Sequence, residues 1–195
     1  MKIEWYYRII SEIVGEVKNN SPRDSTNYVK IVSTFYDNTG KVIGTDFTYS
    51  NVDVLRPGEK LSFEIILNDA VQSQKVDSYK LSASADKTGA LPAALNLSIG
   101  DSRLDDTGAY HIVGEVTNQG SGKATYVKVS GSFYNSSNTI VAADFTYTDP
   151  DNLEPGQAAP FEMIVNAPTA SDITSASLNV NSNQYSSVNQ NETSQ

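Results

Sequence analysis

Carboxylates are the residues of this chain whose types and spacing come nearest to a recognisable chemistry. Asp149-Pro150-Asp151 with Glu154 forms one group, and Asp101, Asp105 and Asp106 form another. Oxygen-rich loops of this kind suit Ca²⁺, which takes about six to eight oxygen ligands. Asp101, Asp105, Asp106, Asp149 and Asp151 are therefore candidate calcium ligands, on the expectation that the two loops meet at one end of a folded unit. Two features favour a solvated acidic surface instead. No D-x-[DN]-x-[DN]-G register is present, and the corresponding earlier stretch offers only Asp53 and Glu59 nearby.

Other chemistries find fewer parts. His111 is the only histidine, so a His-based triad or a His-rich metal site lacks partners, and the residue reads as an exposed strand position. No serine sits in G-x-S-x-G or S-x-x-K, and there is no phosphate loop. Without cysteine, disulfides, thiolate nucleophiles and thiolate metal sites are excluded. Paired carboxylates for glycoside hydrolysis cannot be told from turn residues here. The chain is expected to be non-enzymatic and to need no cofactor, with calcium as the alternative.

Charge narrows the partners. The 195 residues carry a formal net charge of -9. Residues 1–85 hold 11 acidic and 10 basic side chains, whereas residues 98–182 hold 10 and 3. Such a field repels phosphate backbones and anionic lipid heads, which argues against nucleic-acid binding and polybasic membrane docking. Lys2, Glu4, Arg8 and Glu12 interrupt any apolar run at the start, so neither a signal peptide nor a membrane-inserting helix is expected within the chain. Asn19, Asn96, Asn135 and Asn191 open N-x-S/T triplets that permit glycosylation on an exported chain.

The elements that must position these residues come in duplicate. Over residues 28–67 against 126–165, sixteen of forty positions are identical. Val29, Ile31, Ser33 and Phe35 alternate with polar and aromatic neighbours, as Val127, Val129, Gly131 and Phe133 do, which predicts a half-buried strand in each copy. The small third inward residue, Ser33 or Gly131, implies something bulky over it, with Trp5 a candidate in the first copy only. Asp37-Asn38-Thr39-Gly40 and Asn135-Ser136-Ser137-Asn138 predict hairpin turns whose last residue takes positive φ. Arg56-Pro57-Gly58-Glu59 and Glu154-Pro155-Gly156-Gln157 predict type II turns. Leu61, Phe63, Ile65 and Leu67, echoed by Ala159, Phe161, Met163 and Val165, predict a further inward-facing strand. Short strands separated by regular turn signals describe an all-β chain of two tandem immunoglobulin-like antiparallel β-sandwiches, residues 1–86 and 94–183. Residues 88–94 form a short linker, and the expected arrangement is end to end with limited freedom. Residues 184–195 are too polar to bury themselves and read as a flexible tail.

With these residues in view, the chain resembles the FxLYD domain family of archaeal and bacterial proteins. The matching stretches are IVGEVKNNS and IVGEVTNQG, YVKIVSTFYDNTGKVIG and YVKVSGSFYNSSNTIVA, and LRPGEKLSFEI and LEPGQAAPFEM. Two departures stand out: Phe35 is followed directly by Tyr36, without the Leu of the family's name, and Asn135 replaces the Asp. The resemblance implies a non-catalytic building block of the cell envelope, placed outside the cell or on its surface, with no catalytic residues to carry over.

Two further expectations concern partners. Tyr28, Tyr36, Tyr126 and Tyr134 on the outward face serve cross-strand packing or, alternatively, stacking on a glycan or a neighbouring protein. Ahead of IVGEV the second copy has Leu95, Leu97 and Ile99 as a first strand, whereas the first copy has only MKIEWYYRIISE. The first sandwich therefore either lacks an edge strand or builds one from Ile3-Glu4-Trp5. A vacant edge invites head-to-tail self-association by strand addition into filaments, unless the chain is a trimmed fragment.

Overall fold

The computed structural model describes residues 1–9, 12–50, 54–67, 74–90 and 93–183, and side chains from Glu12 onward together with Met1. The chain is all-β. Its strands are β1 (Lys2–Ile9), β2 (Glu12–Lys18), β3 (Ser25–Tyr36), β4 (Val42–Tyr49), β5 (Lys60–Ile66), β6 (Ser78–Thr88), β7 (Leu95–Leu104), β8 (Tyr110–Asn118), β9 (Lys128–Tyr134), β10 (Ile140–Tyr147), β11 (Ala158–Val165) and β12 (Ser175–Asn181). Among the described residues the one helical element is a single 3-10 turn, Ala170–Asp172. The strands form four antiparallel three-stranded sheets, β1-β2-β5 and β4-β3-β6 from the first half of the chain, β7-β8-β11 and β10-β9-β12 from the second. Strand order repeats element for element, so the duplication seen in sequence is a duplication of topology.

Each half has its own core. In the first, Ile13, Val17, Val29, Ile31, Phe35, Leu61, Phe63 and Ile65 come from the facing sides of the two sheets, and in the second Ile112, Val116, Val127, Val129, Phe133, Phe161 and Met163 do the same. The period-2 alternation predicted for the strand after the Pro-Gly turn is realised, since Leu61, Phe63, Ile65, Ala159, Phe161, Met163 and Val165 are all buried. Phe63 stands opposite Gly15 and Phe161 opposite Gly114. A Cβ on Gly114 would lie 2.7 Å from the Phe161 ring and 2.2 Å from the Ser98 carbonyl oxygen, so glycine there is a packing requirement. The space above Gly131 is filled likewise, by the Phe133 ring and Leu178. Trp5 lies outside the described side chains.

The turns follow their residues. Gly40 has φ +80° and Asn138 φ +57°, as the hairpin requires, and Gly58 and Gly156 have φ +82° and +80° at the third position of their Pro-Gly turns. Asp37 Oδ1 accepts from the backbone N–H of Thr39 and Lys41, and Asn135 Oδ1 from those of Ser137 and Thr139. Asn19 and Asn118 are buried hubs: their side-chain amides donate to the carbonyls of Leu55 and Leu153, and so tie the strand end to the Pro-Gly loop. With its amide held inside in this way, Asn19 is closed to glycosylation in the folded chain. Asn191 lies outside the described residues.

Of the two alternatives for the first edge, the second is realised: β1, which includes Ile3-Glu4-Trp5, pairs with β2 from Lys2↔Lys18 to Ile9↔Glu12, so the vacancy that motivated strand addition does not exist. Nor are the halves strung end to end. β10 lies against β1, β2 and β5, and β5 lies against β9, which stacks one half on the other sheet face to sheet face.

The glycine–phenylalanine register yields a prediction. Phe63→Ala and Phe161→Ala should each lower stability by roughly 3–5 kcal/mol in urea unfolding, the usual cost of truncating a buried Phe. Gly114→Ala should also destabilise. Wild-type midpoints in these variants would contradict the register.

Candidate functional site

The two acidic loops do not meet. Asp105 and Asp106 occupy the β7–β8 hairpin immediately before Tyr110. The segment carrying Asp149 and Asp151 bonds instead to the far end of β8 and beyond: Val127 N–H donates to the Asp151 carbonyl, and Gly156 N–H to that of Asn118. β8 runs nine residues between these ends, about 30 Å at strand rise. Asp101 is exposed on β7 opposite Val113, near mid-strand. Among the described residues no group of three or more His, Cys, Asp or Glu side chains is arranged to hold a metal ion.

Asp105 has another task. Its Oδ1 accepts from Thr107 and Ala109 N–H, the same turn pattern as Asp37, and Gly108 has φ +88°. Asp-Asp-Thr-Gly is thus a third copy of the Asp-Asn-Thr-Gly hairpin, a signal available in the sequence. Oδ2 of Asp105 lies 3.0 Å from His111 Nε2, and Glu162 Oε1 lies 2.8 Å from His111 Nδ1. His111 is therefore no free surface residue but a clasp between the hairpin and β11. Its bonds to Glu162 and then Asp105 raise its pKa, while Thr107 and then His111 hold the Asp105 carboxyl below the usual range.

The most constrained arrangement lies between the halves, and sequence reasoning missed it. A sheet covered on one side buries alternate residues, yet β2 and β9 each carry five consecutive buried ones. The extra burial comes from the outward residues Val14 and Glu16 on β2, Ser62 on β5, Ser130 and Ser132 on β9 and Ile140 on β10. Val14 and Ile140 belong to neither core, because they pack in the contact between the halves. At its centre the Glu16 carboxylate is only 2% exposed. Tyr134 OH donates to Glu16 Oε1 at 2.5 Å, and Lys60 Nζ lies 3.5 Å from Oε2. Ser62 Oγ donates to the Gly131 carbonyl at 3.1 Å and Asn179 Nδ2 to the Lys60 carbonyl at 3.2 Å. A buried carboxylate is tolerated when both oxygens are engaged, as here. Burial, and then the bond to Glu16, push the Tyr134 phenol well above its ordinary pKa.

Beside this contact a crevice of about 200 Å³ is lined by Glu12, Glu64, Asp144 and Pro168. Burial, then the neighbouring charges of Glu12 and Asp144, raise the Glu64 pKa to about 7. Burial raises Glu12 and Asp144 as well, Glu12 being partly relieved by its bond to Glu64. These carboxyl groups face one another from β2, β5 and β10.

The repeated aromatics divide. Tyr28 and Tyr126 are exposed with φ +47° and +51°. Lys30 Nζ sits 4.1 Å from the Phe47 ring centroid and Lys128 Nζ 4.8 Å from that of Phe145, with Tyr49 and Tyr147 edge-on beside them. Tyr134 is taken into the contact between the halves, whereas its counterpart Tyr36 stays on an open face.

No protein-family model matches the chain, and no curated protein does. Among solved structures, red sea bream transglutaminase aligns with 93% of the chain at 10% identity and a TM-score of 0.31. A calcium-binding mutant of β-glucuronidase 2 from Bacteroides uniformis aligns with 82% at 14% identity and a TM-score of 0.26. The chain spans 29% and 22% of the lengths of those proteins, and likeness at this level carries no argument about chemistry.

Two predictions follow from the contact and its titrating neighbours. Tyr134→Phe removes one partner of a buried carboxylate and should cost about 1.5–3 kcal/mol in urea unfolding. Unchanged stability would mean that the bond is not made. Glu64 binds its proton more tightly folded than unfolded, so stability should fall as pH rises from about 4.5 to about 7 and then level off. His111, also raised, contributes stability present below about 6.5 and lost as pH climbs through its folded value. Melting temperature should therefore decline from pH 5 to pH 8, and Glu64→Gln should flatten the part below pH 7. A profile that rises over this range, or one that Glu64→Gln leaves unaltered, would contradict the assignment.

Proposed function

We propose that the chain is a non-catalytic structural or adhesion module of the cell exterior, built from two tandem immunoglobulin-like β-sandwiches of the FxLYD kind. The contact between the halves carries this reading. Duplicated two-sheet units joined by a buried Glu16–Tyr134 bond and a sheet-to-sheet face make a stiff double module, and stiffness is what a spacer or envelope component needs. The family resemblance rests on the quoted motifs, and the Asn19 and Asn118 hubs and the paired hairpins are the equivalent points at which the two halves carry them. An exterior setting rests on the resemblance.

A second reading, a glycan-binding protein, is favoured by one observation: both halves expose the same aromatic cluster, Phe47 with Tyr49 and Phe145 with Tyr147. Against it, Lys30 and Lys128 already lie over those rings, so a sugar would have to displace them. A glycan array together with calorimetric titration of millimolar Ca²⁺ separates the readings. Flat responses in both are expected of the structural module. Saturable glycan binding abolished by Phe47→Ala and Phe145→Ala, or a Ca²⁺ response abolished by Asp105→Asn or Asp151→Asn, would overturn it.

A further inference from the structure

The contact inside the chain joins two unlike faces, and each half possesses both. The first half contributes the outer face of β1-β2-β5, and the second contributes the outer face of β10-β9-β12. Left uncovered by the described residues are the outer face of β4-β3-β6, which corresponds to the second of these, and that of β7-β8-β11, which corresponds to the first. We propose that a second copy of this chain docks the outer face of its β7-β8-β11 sheet on the outer face of β4-β3-β6, repeating between molecules the contact already made within one.

The residues of the internal contact recur at the free faces. Alignment of the halves places Val113 at the position of Val14 and Glu115 at that of Glu16, and it places Tyr36 at the position of Tyr134 and Val42 at that of Ile140. The apolar pair and the tyrosine–carboxylate pair are thus both retained. Their environments differ in the way an unfilled contact requires. Ile140 is 0% exposed but Val42 is 50%, and the buried Glu16 corresponds to the exposed Glu115. Burial patterns agree: β11 shows strict alternation, with Ala158, Pro160, Glu162 and Ile164 all outward and exposed, where β5 has Ser62 covered. Next to Val42 the same face carries Phe47 and Tyr49, each 53% exposed, but Phe145 and Tyr147 stay 44% and 43% exposed on the face already docked, so the unfilled contact is read at Val42 and Glu115.

The intermolecular contact is the weaker of the two. Ala158 replaces Lys60, Pro160 replaces Ser62 and Ser82 replaces Asn179, so one ion pair and two hydrogen bonds are lost, and no linker raises the local concentration. His111 stands where Glu12 does and pairs with Glu162, so the facing carboxylates of the internal contact are not reproduced. Because each copy offers one face of each kind, the contact is heterologous and propagates as an open stack unless its rotation closes. This inference deepens the structural reading by naming a partner and rests on it for biological use, but its test reads assembly alone. A monomeric result would remove the stack and leave the glycan and calcium titrations to judge the module.

Sedimentation of the full chain over a concentration series is the experiment, with Tyr36→Arg to block one face and Glu115→Arg to block the other. Average mass should rise with concentration for the wild type, and each variant alone should stay monomeric. An equimolar mixture of the two should form dimers and nothing larger, since one intact face of each kind remains. Val42→Arg and Val113→Arg, at the positions of the buried Ile140 and Val14, serve as a second pair should either first variant lose its wild-type melting curve. A wild type that stays monomeric at every concentration, a single variant that assembles as the wild type does, or a mixture that stays monomeric would each overturn the proposal.

Discussion

A carboxylate buried between two sheets sets the terms for the rest of this molecule. Glu16 leaves water only because Tyr134, from the other half of the chain, and Lys60, from the neighbouring strand, engage its two oxygens. An unpaired charge there would cost several kcal/mol, so the halves must meet in the one register that brings the phenol to the carboxylate. That register explains why β2 and β9 are buried on both faces, why small residues, Ser130, Gly131 and Ser132, line the approaching strand, and why the halves lie side by side. Hydrophobic burial of Val14 and Ile140 supplies attraction without direction, and the buried bond supplies the direction.

Charge at the rim of the contact works against it. Glu12 and Glu64 from one half meet Asp144 from the other, with burial raising all three. The same position of the second half shows the alternative solution, because His111 replaces Glu12 and turns a repulsive carboxylate pair into a clasp with Glu162. The pH response of the chain is therefore written mainly at two equivalent places in the duplicated fold, one between the halves and one on an open face.

Legibility in the sequence tracked the range of the interaction responsible. Turns at Gly40, Asn138, Gly58 and Gly156 were readable because positive φ is a property of a few adjacent residues, and the inward faces of β5 and β11 because period-2 alternation is local. The turn role of Asp105 was legible too, since Asp-Asp-Thr-Gly repeats the hairpin signature of Asp37, but it was passed over in favour of a ligand role. The stacking of the halves was not readable, since Glu16 and Glu115, or Ile140 and Val42, have nearly the same neighbours in sequence and opposite fates in space. Which member of each pair is covered depends on how the second half sits against the first. The edge strand of the first half was legible only as one of two alternatives, because eight residues with little repeat similarity pair with β2 through backbone groups, which carry no side-chain signature.

A module whose halves share a face is short and stiff, and the central claim is that this face exists in solution. Small-angle X-ray scattering at low concentration, where copies stay apart, measures it directly through the radius of gyration. Side-by-side packing places that radius near the value for one compact chain of this length, about 16 Å. An elongated particle with a radius roughly half as large again, unchanged by Tyr134→Ala, would show the halves strung end to end and contradict the account.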